Sequence, residues 1–407
     1  MKSSLDDLAV FGGAPAFAEP VHVGRPSGDD VEPFVERVRD AFHRRWFTND
    51  GPYVQELEER LAARLGVRHC VATCNATAGL EIAIRALNLT GEVIVPSFTF
   101  VATAHALEWM GITPVFCDVD RQTHNLDPGR VESLVTPRTS GILGVHLWGR
   151  PCDPDGLAAV ARRHSLRLFF DAAHAFGCAH QGRMIGGFGD AEVFSFHATK
   201  VMTTFEGGAI TTNDASVADK ARLLRSFGFQ DYDRVEGPGI NGKMNEISAA
   251  MGLTSLDGFD RAVAINRAAY LRYRTALAGI AGIDVMRQRE DDAGNFHYLV
   301  VEVERLASGL DRDLLHRVLW AEQVFARRYF YPGCHRMPPY CDRPMPAGAT
   351  LANTEWLTDR VLCLPTGRAV AEGQIEEICA IVRLVADGAG EIRRRMSAEP
   401  ARAPTTP

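Results

Sequence analysis

Lysine is almost missing from this chain: Lys2, Lys200, Lys220 and Lys243 stand against forty arginines in 407 residues. Arginine therefore carries the ordinary surface charge. A lysine that persists is a candidate for chemistry that needs an amine able to lose its proton. Paired cysteines are missing too. The nine cysteines are scattered from Cys70 to Cys379, with no Cys-x-x-Cys pair and no Cys/His cluster. That spacing argues against a bound metal, the odd count argues against a disulfide framework, and a cytoplasmic setting is the default. There is no excess of basic charge: the net charge of −7 argues against nucleic acid as a partner. No apolar run approaches membrane-spanning length, so no membrane partner is expected. Met1 to Ala9 is polar and acidic and has no signal-peptide core.

What is present is alternation. Short apolar runs at Val67–Thr73, Val93–Val95, Pro114–Asp118, Gly141–Leu147, Leu166–Asp171, Glu192–Phe196 and Ala209–Thr212 read as strands. Helical patterns lie between them at Ala78–Leu87, Thr99–Met110, Pro154–His164 and Ala215–Phe227. Repeated β-then-α units predict an α/β fold with a mainly parallel sheet covered on both faces. A long helical stretch, Glu246–Ala278, leads into a second region with a strand at His297–Glu304 and helices at Asp313–Glu322 and Ile375–Ala386. We divide the chain into an N-terminal arm (1–30), a large domain (31–260), a small α+β domain (261–393) and a disordered tail (394–407).

Ligands on such sheets bind beyond the carboxyl ends of the strands. Four segments end on that common rim. Thr73-Cys74-Asn75-Ala76-Thr77-Ala78-Gly79 is a small-residue turn whose N–H groups and Thr77 hydroxyl could take a phosphate at a helix start. A plain capped turn reads the same way. It is not a Walker loop, and no Gly-x-Gly-x-x-Gly fingerprint supports a nicotinamide oxidoreductase. Pro96-Ser97-Phe98-Thr99-Phe100 places two aromatics where one could stack on a planar ring, or both could be core. Asp171 closes an apolar strand, where a carboxylate either caps a turn or pairs with a buried cation; beside a pyridine nitrogen it would keep the ring protonated. Lys200 follows the run Val193-Phe194-Ser195-Phe196, and the Ser195 hydroxyl could also reach a phosphate. A solvated loop lysine is the bland alternative. Jointly these are the parts that hold pyridoxal phosphate.

With Asp171-Ala172-Ala173-His174-Ala175, Phe194-Ser195-Phe196-His197-Ala198-Thr199-Lys200 and Glu206-Gly207-Gly208-Ala209, the chain resembles the DegT/DnrJ/EryC1/StrS family of sugar aminotransferases. Matching stretches run from Phe47-Thr48-Asn49-Asp50-Gly51-Pro52 to Leu364-Pro365-Thr366. The resemblance implies fold type I, the aspartate-aminotransferase-like architecture, with a mainly parallel seven-stranded sheet and a smaller C-terminal α+β domain. It implies pyridoxal 5′-phosphate bonded to Lys200 and an Asp171 that pairs with the ring nitrogen. By the same resemblance Phe100 stacks on the ring, and Ala76, Thr77 and Ser195 hold the phosphate. His174 stands where many members carry Gln. Asn241 reaches a neighbouring subunit's phosphate site, which implies a homodimer with shared active sites. The family's aromatic-Arg pair after that Asn is here Gly242-Lys243.

The family moves an amino group, usually from L-glutamate, to a ketone of a nucleotide-activated sugar. His197-Ala198-Thr199-Lys200 and Phe205-Glu206-Gly207-Gly208 look more like the branch acting at C4, similar to enzymes that make dTDP-4-amino-4,6-dideoxy-D-glucose from dTDP-4-keto-6-deoxy-D-glucose. Arg327-Arg328-Tyr329-Phe330-Tyr331-Pro332-Gly333-Cys334-His335 resembles the segment that meets the sugar nucleotide; an edge strand and loop is the alternative. Tyr331 and His335 there, with Trp148 and Lys243, are the expected substrate contacts. His146 is a further candidate for the same pocket, packing being an equal reading. Amination of a 3-keto nucleotide sugar or an inosose, and a non-catalytic cofactor-binding regulator, remain as rivals.

Overall fold

The computed structural model describes residues 2–26, 31–289, 292–345 and 349–398. Seven strands form its central sheet: β1 (His69–Thr73), β2 (Glu92–Pro96), β3 (Thr113–Cys117), β4 (Thr139–Val145), β5 (Arg167–Asp171), β6 (Ala191–Ser195) and β7 (Gly208–Thr212). Their order is β1-β7-β6-β5-β4-β2-β3. All neighbours are parallel except β7, which runs antiparallel to both β1 and β6. The Glu206-Gly207-Gly208 segment follows Lys200 too closely for a helical crossover, so the chain must turn back beside β6.

The sheet is covered on both faces, and alternate residues of a strand serve opposite layers. Phe169, Val193 and Ile210 pack beneath α3 (Ala76–Ala86), α4 (Val101–Trp109) and α6 (Ala215–Arg225). Phe170, Phe194 and Ala209 pack on the other face with α2 (Pro52–Leu65), α5 (Pro154–Arg163) and α7 (Glu246–Asp257), beside which α1 (Val31–Arg44) also lies. Asn75, Asp153, Asp214 and Asn245 cap α3, α5, α6 and α7, each accepting a first-turn N–H.

A second core gathers β8 (Ile283–Val285), β9 (Leu299–Val303) and β10 (Val361–Leu364), an antiparallel trio, under α9 (Arg312–Ala321) and α10 (Glu372–Ala398). Three expectations change here. The stretch 246–278 is two helices, α7 and α8 (Phe259–Ala276), parted at Gly258, a residue that costs roughly 1 kcal/mol in a helix interior. The front of α8 belongs to the large core and its rear, Ala269 to Tyr273, to the small one, so the domains meet inside this helix. The N-terminal arm is not a separate piece. Leu8 and Val21 enter the small core, Val21–His22 pairs with Val324–Phe325, and Lys2 meets buried Glu322 at 3.2 Å. The closing helix continues to Ala398, through the start of the expected tail, because Val385, Ala389 and Ile392 keep a buried stripe going. Residues 399–407 lie outside the described residues.

Candidate active site

Strand ends and helix starts converge as the rim rule requires. In the β1-β7-β6 register Gly208 stands opposite both Thr73 and Ser195. A Cβ on Gly208 would lie 2.8 Å from the Ala76 nitrogen and 2.7 Å from the Phe194 oxygen. Only glycine lets the strand pair come this close to the start of α3. Asn75 spends its side chain on the Ala78 N–H and its carbonyl on Gly79. Ala76 and Thr77 open the helix at its positive end, with Thr77 exposed. First-turn N–H groups of this kind suit an anion.

Asp171, at the end of β5, is 7 % exposed. It accepts the Thr103 hydroxyl at 2.8 Å and the Ala173 N–H at 3.0 Å. Burial still pushes its carboxyl above the usual range, against those two bonds and the nearby Lys200 charge. A cation placed beside it would remove that penalty. Phe100 caps the start of α4, one turn before Thr103, with its ring 56 % exposed.

Lys200 lines a small cavity with His174, Ser195, Asn295 and His297. Burial lowers its ammonium to about 8, opposed by Asp171. Its amine donates to the Tyr298 hydroxyl at 3.3 Å. His174 is driven well below the ordinary range by burial and by the Lys200 charge, and His297 is pushed down to about 3 by the same causes. Tyr298 and His297 escaped the sequence reading. They enter from the small domain, a hundred residues after Lys200, and only the parity of β9 could have hinted at them.

The remaining expected residues scatter around this centre. Trp148 is 1 % exposed and stands one layer behind the cavity, stacked on Phe330 at 5.1 Å and facing His174 at 6.1 Å. It therefore supports the site and presents no free face to a substrate. His146 points away from it, through the other face of the sheet: stacked on Phe170, its Nε2 lies 3.2 Å from Glu192 Oε2. His335 has its Nδ1 2.7 Å from the Ser97 hydroxyl, bracing the loop before Phe100. Tyr331 is half-exposed between the guanidinium groups of Arg312 and Arg328. Tyr329, not singled out from sequence, lies nearer the cavity, 6.3 Å from Tyr298. Lys243 bridges to Thr73 at the edge of β1, with its amine 4.6 Å from the Phe227 ring, and exposed Asn241 bridges to Ser226.

Among the described residues no group of three His, Cys, Asp or Glu side chains could hold a metal ion, and no helix is long and apolar enough to cross a membrane. A buried carboxylate whose penalty a cation would relieve, an amine of lowered basicity and the start of a helix share one sheet rim. A family model described as the DegT/DnrJ/EryC1/StrS aminotransferase family matches residues 29–383, and the chain belongs to that family. It is 37 % identical over 365 residues to a dTDP-4-amino-4,6-dideoxy-D-glucose transaminase of Shigella dysenteriae, covering 90 % of this chain and 99 % of that one. It is also 37 % identical to a GDP-perosamine synthase of Caulobacter vibrioides, over 84 % of this chain and 92 % of the relative. Among solved structures it resembles DesI in the presence of its TDP-sugar product, with a TM-score of 0.93, 50 % identity, and coverage of 97 % of this chain and all of that one.

Proposed function

We propose that the chain is a pyridoxal 5′-phosphate-dependent transaminase that moves the amino group of L-glutamate to C4 of dTDP-4-keto-6-deoxy-D-glucose, giving dTDP-4-amino-4,6-dideoxy-D-glucose. The observation that carries this reading is the nearness of the buried Asp171 carboxylate to the Lys200 amine, close enough for each charge to act on the other. The Shigella relative's name and the TDP-sugar product of DesI support the nucleotide and the position of the amine.

The residues fit the cofactor. Its phosphate suits the Ala76, Thr77 and Ser195 cradle that Gly208 keeps open. Asp171 would hold the ring nitrogen's proton, and exposed Phe100 offers a ring face. When bound, the cofactor supplies an aldehyde carbon and an electron-accepting ring. Lys200 Nζ, neutral for a substantial fraction of the time near pH 8, would capture the aldehyde and later carry the proton at the reacting substrate carbon. Tyr331, His335 and Lys243 would meet the sugar nucleotide, and Trp148 would support the site from behind His174. Asn241 would complete a partner's phosphate site in a homodimer. Phe227, Phe229, Tyr232 and Ile240, exposed on the segment that carries Asn241, support that assembly. The free, mostly buried cysteines are in keeping with a cytoplasmic setting.

NMR of the product formed from dTDP-4-keto-6-deoxy-D-glucose and L-glutamate tests the reading. An equatorial C4 amine is expected. An axial amine would assign the galacto product, and turnover only of 3-keto sugars or inososes would move the reaction to those substrates. Bound cofactor without transfer to any ketone would make the chain a regulator.

A further inference from the structure

Trp148 carries two N–H donors, and each is spent on a histidine. Its main-chain N–H donates to Nδ1 of His174 at 3.3 Å, and its indole N–H to Nδ1 of His124 at 3.2 Å. An amide and an indole can only donate, so both Nδ1 atoms are acceptors and each ring carries its proton on Nε2. His124 then donates Nε2–H to Glu302 Oε1 at 3.1 Å. Burial holds both rings below their ordinary basicity, which keeps them neutral. The groups around His174 reinforce this: Lys200 and His297 disfavour a second positive charge, and Tyr298 offers a ring face 4.4 Å away. The His174 Nε2–H is left for the cavity it shares with Lys200.

The turn that makes this possible is set by tertiary contacts. Trp148 sits at φ +62°, a left-handed conformation that a bulky side chain rarely adopts. Gly149 follows at φ +75°, where a Cβ would lie 2.7 Å from Asn295 Oδ1, and Asn295 also donates to the His174 carbonyl at 2.9 Å. Tyr298, just ahead of β9, meets Lys200 and His174, and Glu302, within β9, meets His124. One short small-domain segment thus touches both ends of a hydrogen-bonded chain that otherwise lies in the large domain.

We propose that Trp148 is a positioning residue: anchored to Glu302 of the small domain through His124, it holds His174 as an Nε2–H donor toward an anionic oxygen bound beside the Lys200 amine. The binding part rests on the cofactor assignment above; the tautomer part does not.

The test is NMR of the full chain with ¹⁵N-labelled histidine rings, first without cofactor, with signals assigned by their loss in His174→Asn and His124→Asn. Both rings should be neutral with the proton on Nε2 at pH 7. Trp148→Phe keeps the main-chain donor but severs the indole link to His124, so His124 should lose its tautomer and His174 should drift toward mixed tautomers. His124→Leu removes the anchor and should leave His174 in mixed tautomers, with Glu302→Ala giving the same change to a smaller extent in a fully folded protein. A wild-type His174 protonated on Nδ1 or on both nitrogens, or an unaltered His174 in both anchor variants, overturns the proposal. Titration with pyridoxal phosphate, followed by absorbance, should then show affinity about tenfold weaker for both His124→Leu and Trp148→Phe. Equal affinities in the anchor variants and wild type overturn the link between anchor and site. Failure of wild type itself to bind pyridoxal phosphate overturns the cofactor assignment and the binding part, and leaves the tautomer result to stand or fall by itself.

Discussion

On the large-domain side of the Lys200 cavity the groups are short and backbone-rich: Ala76 and Thr77 open the helix after β1, Ser195 and Asp171 end the neighbouring strands β6 and β5, and Gly208 supplies clearance. On the small-domain side they are long and aromatic. Tyr298 and His297 enter ahead of β9, and Tyr329 approaches Tyr298 to within 6.3 Å. The first side is held by main-chain hydrogen bonds, which leave little freedom and suit a ligand whose shape never varies. The second is held by ring packing and single hydroxyl contacts, which tolerate exchange of one side chain for another and suit the part of the ligand that differs between relatives.

The sharpest way to break this contrast is at the point where the two sides meet. Lys200→Ala should remove the cofactor's lysine-bound absorbance and lower turnover by roughly 10⁴-fold or more, since nucleophile and proton carrier go together. Retained activity would end the assignment. Asp171→Asn preserves shape and the Thr103 bond but removes the charge. Turnover should fall roughly 10²- to 10³-fold, while thermal stability holds or rises because a buried charge has gone; a destabilised, active variant would contradict it. Gly208→Ala tests the constant side alone. The added Cβ meets backbone and not a flexible side chain, so we expect about tenfold weaker cofactor binding and about 1–3 kcal/mol of lost stability in denaturant titration.

The small-domain side should respond more mildly. Tyr298→Phe removes the acceptor of the Lys200 amine, a loss of about 1 kcal/mol or roughly fivefold in the rate of cofactor capture by the cofactor-free protein. In the same experiment the wild-type rate should climb with pH through a midpoint of about 8, because burial depresses Lys200 and the neutral amine is the reactive form. A midpoint at the ordinary value of 10.5 would mean the amine is not desolvated.

Local pattern was enough to locate the seven sheet strands and the rim positions of Asp171 and Lys200. Each depends on neighbours within a few residues, and a parallel sheet buried on both faces writes its strands as unbroken apolar runs. Facing depends on contacts well outside any local window. The turning of His146 toward Glu192 and the bracing of His335 on Ser97 were decided there. So was the arrival of Tyr298 at Lys200. The scarcity of lysine illustrates both limits. It pointed to Lys200, yet it could not tell that Lys2 is taken up by buried Glu322, because that carboxylate lies 320 residues away in the other core. Composition and period determine which residues are available at the rim; the packing of two domains through α8 decides which of them share a cavity.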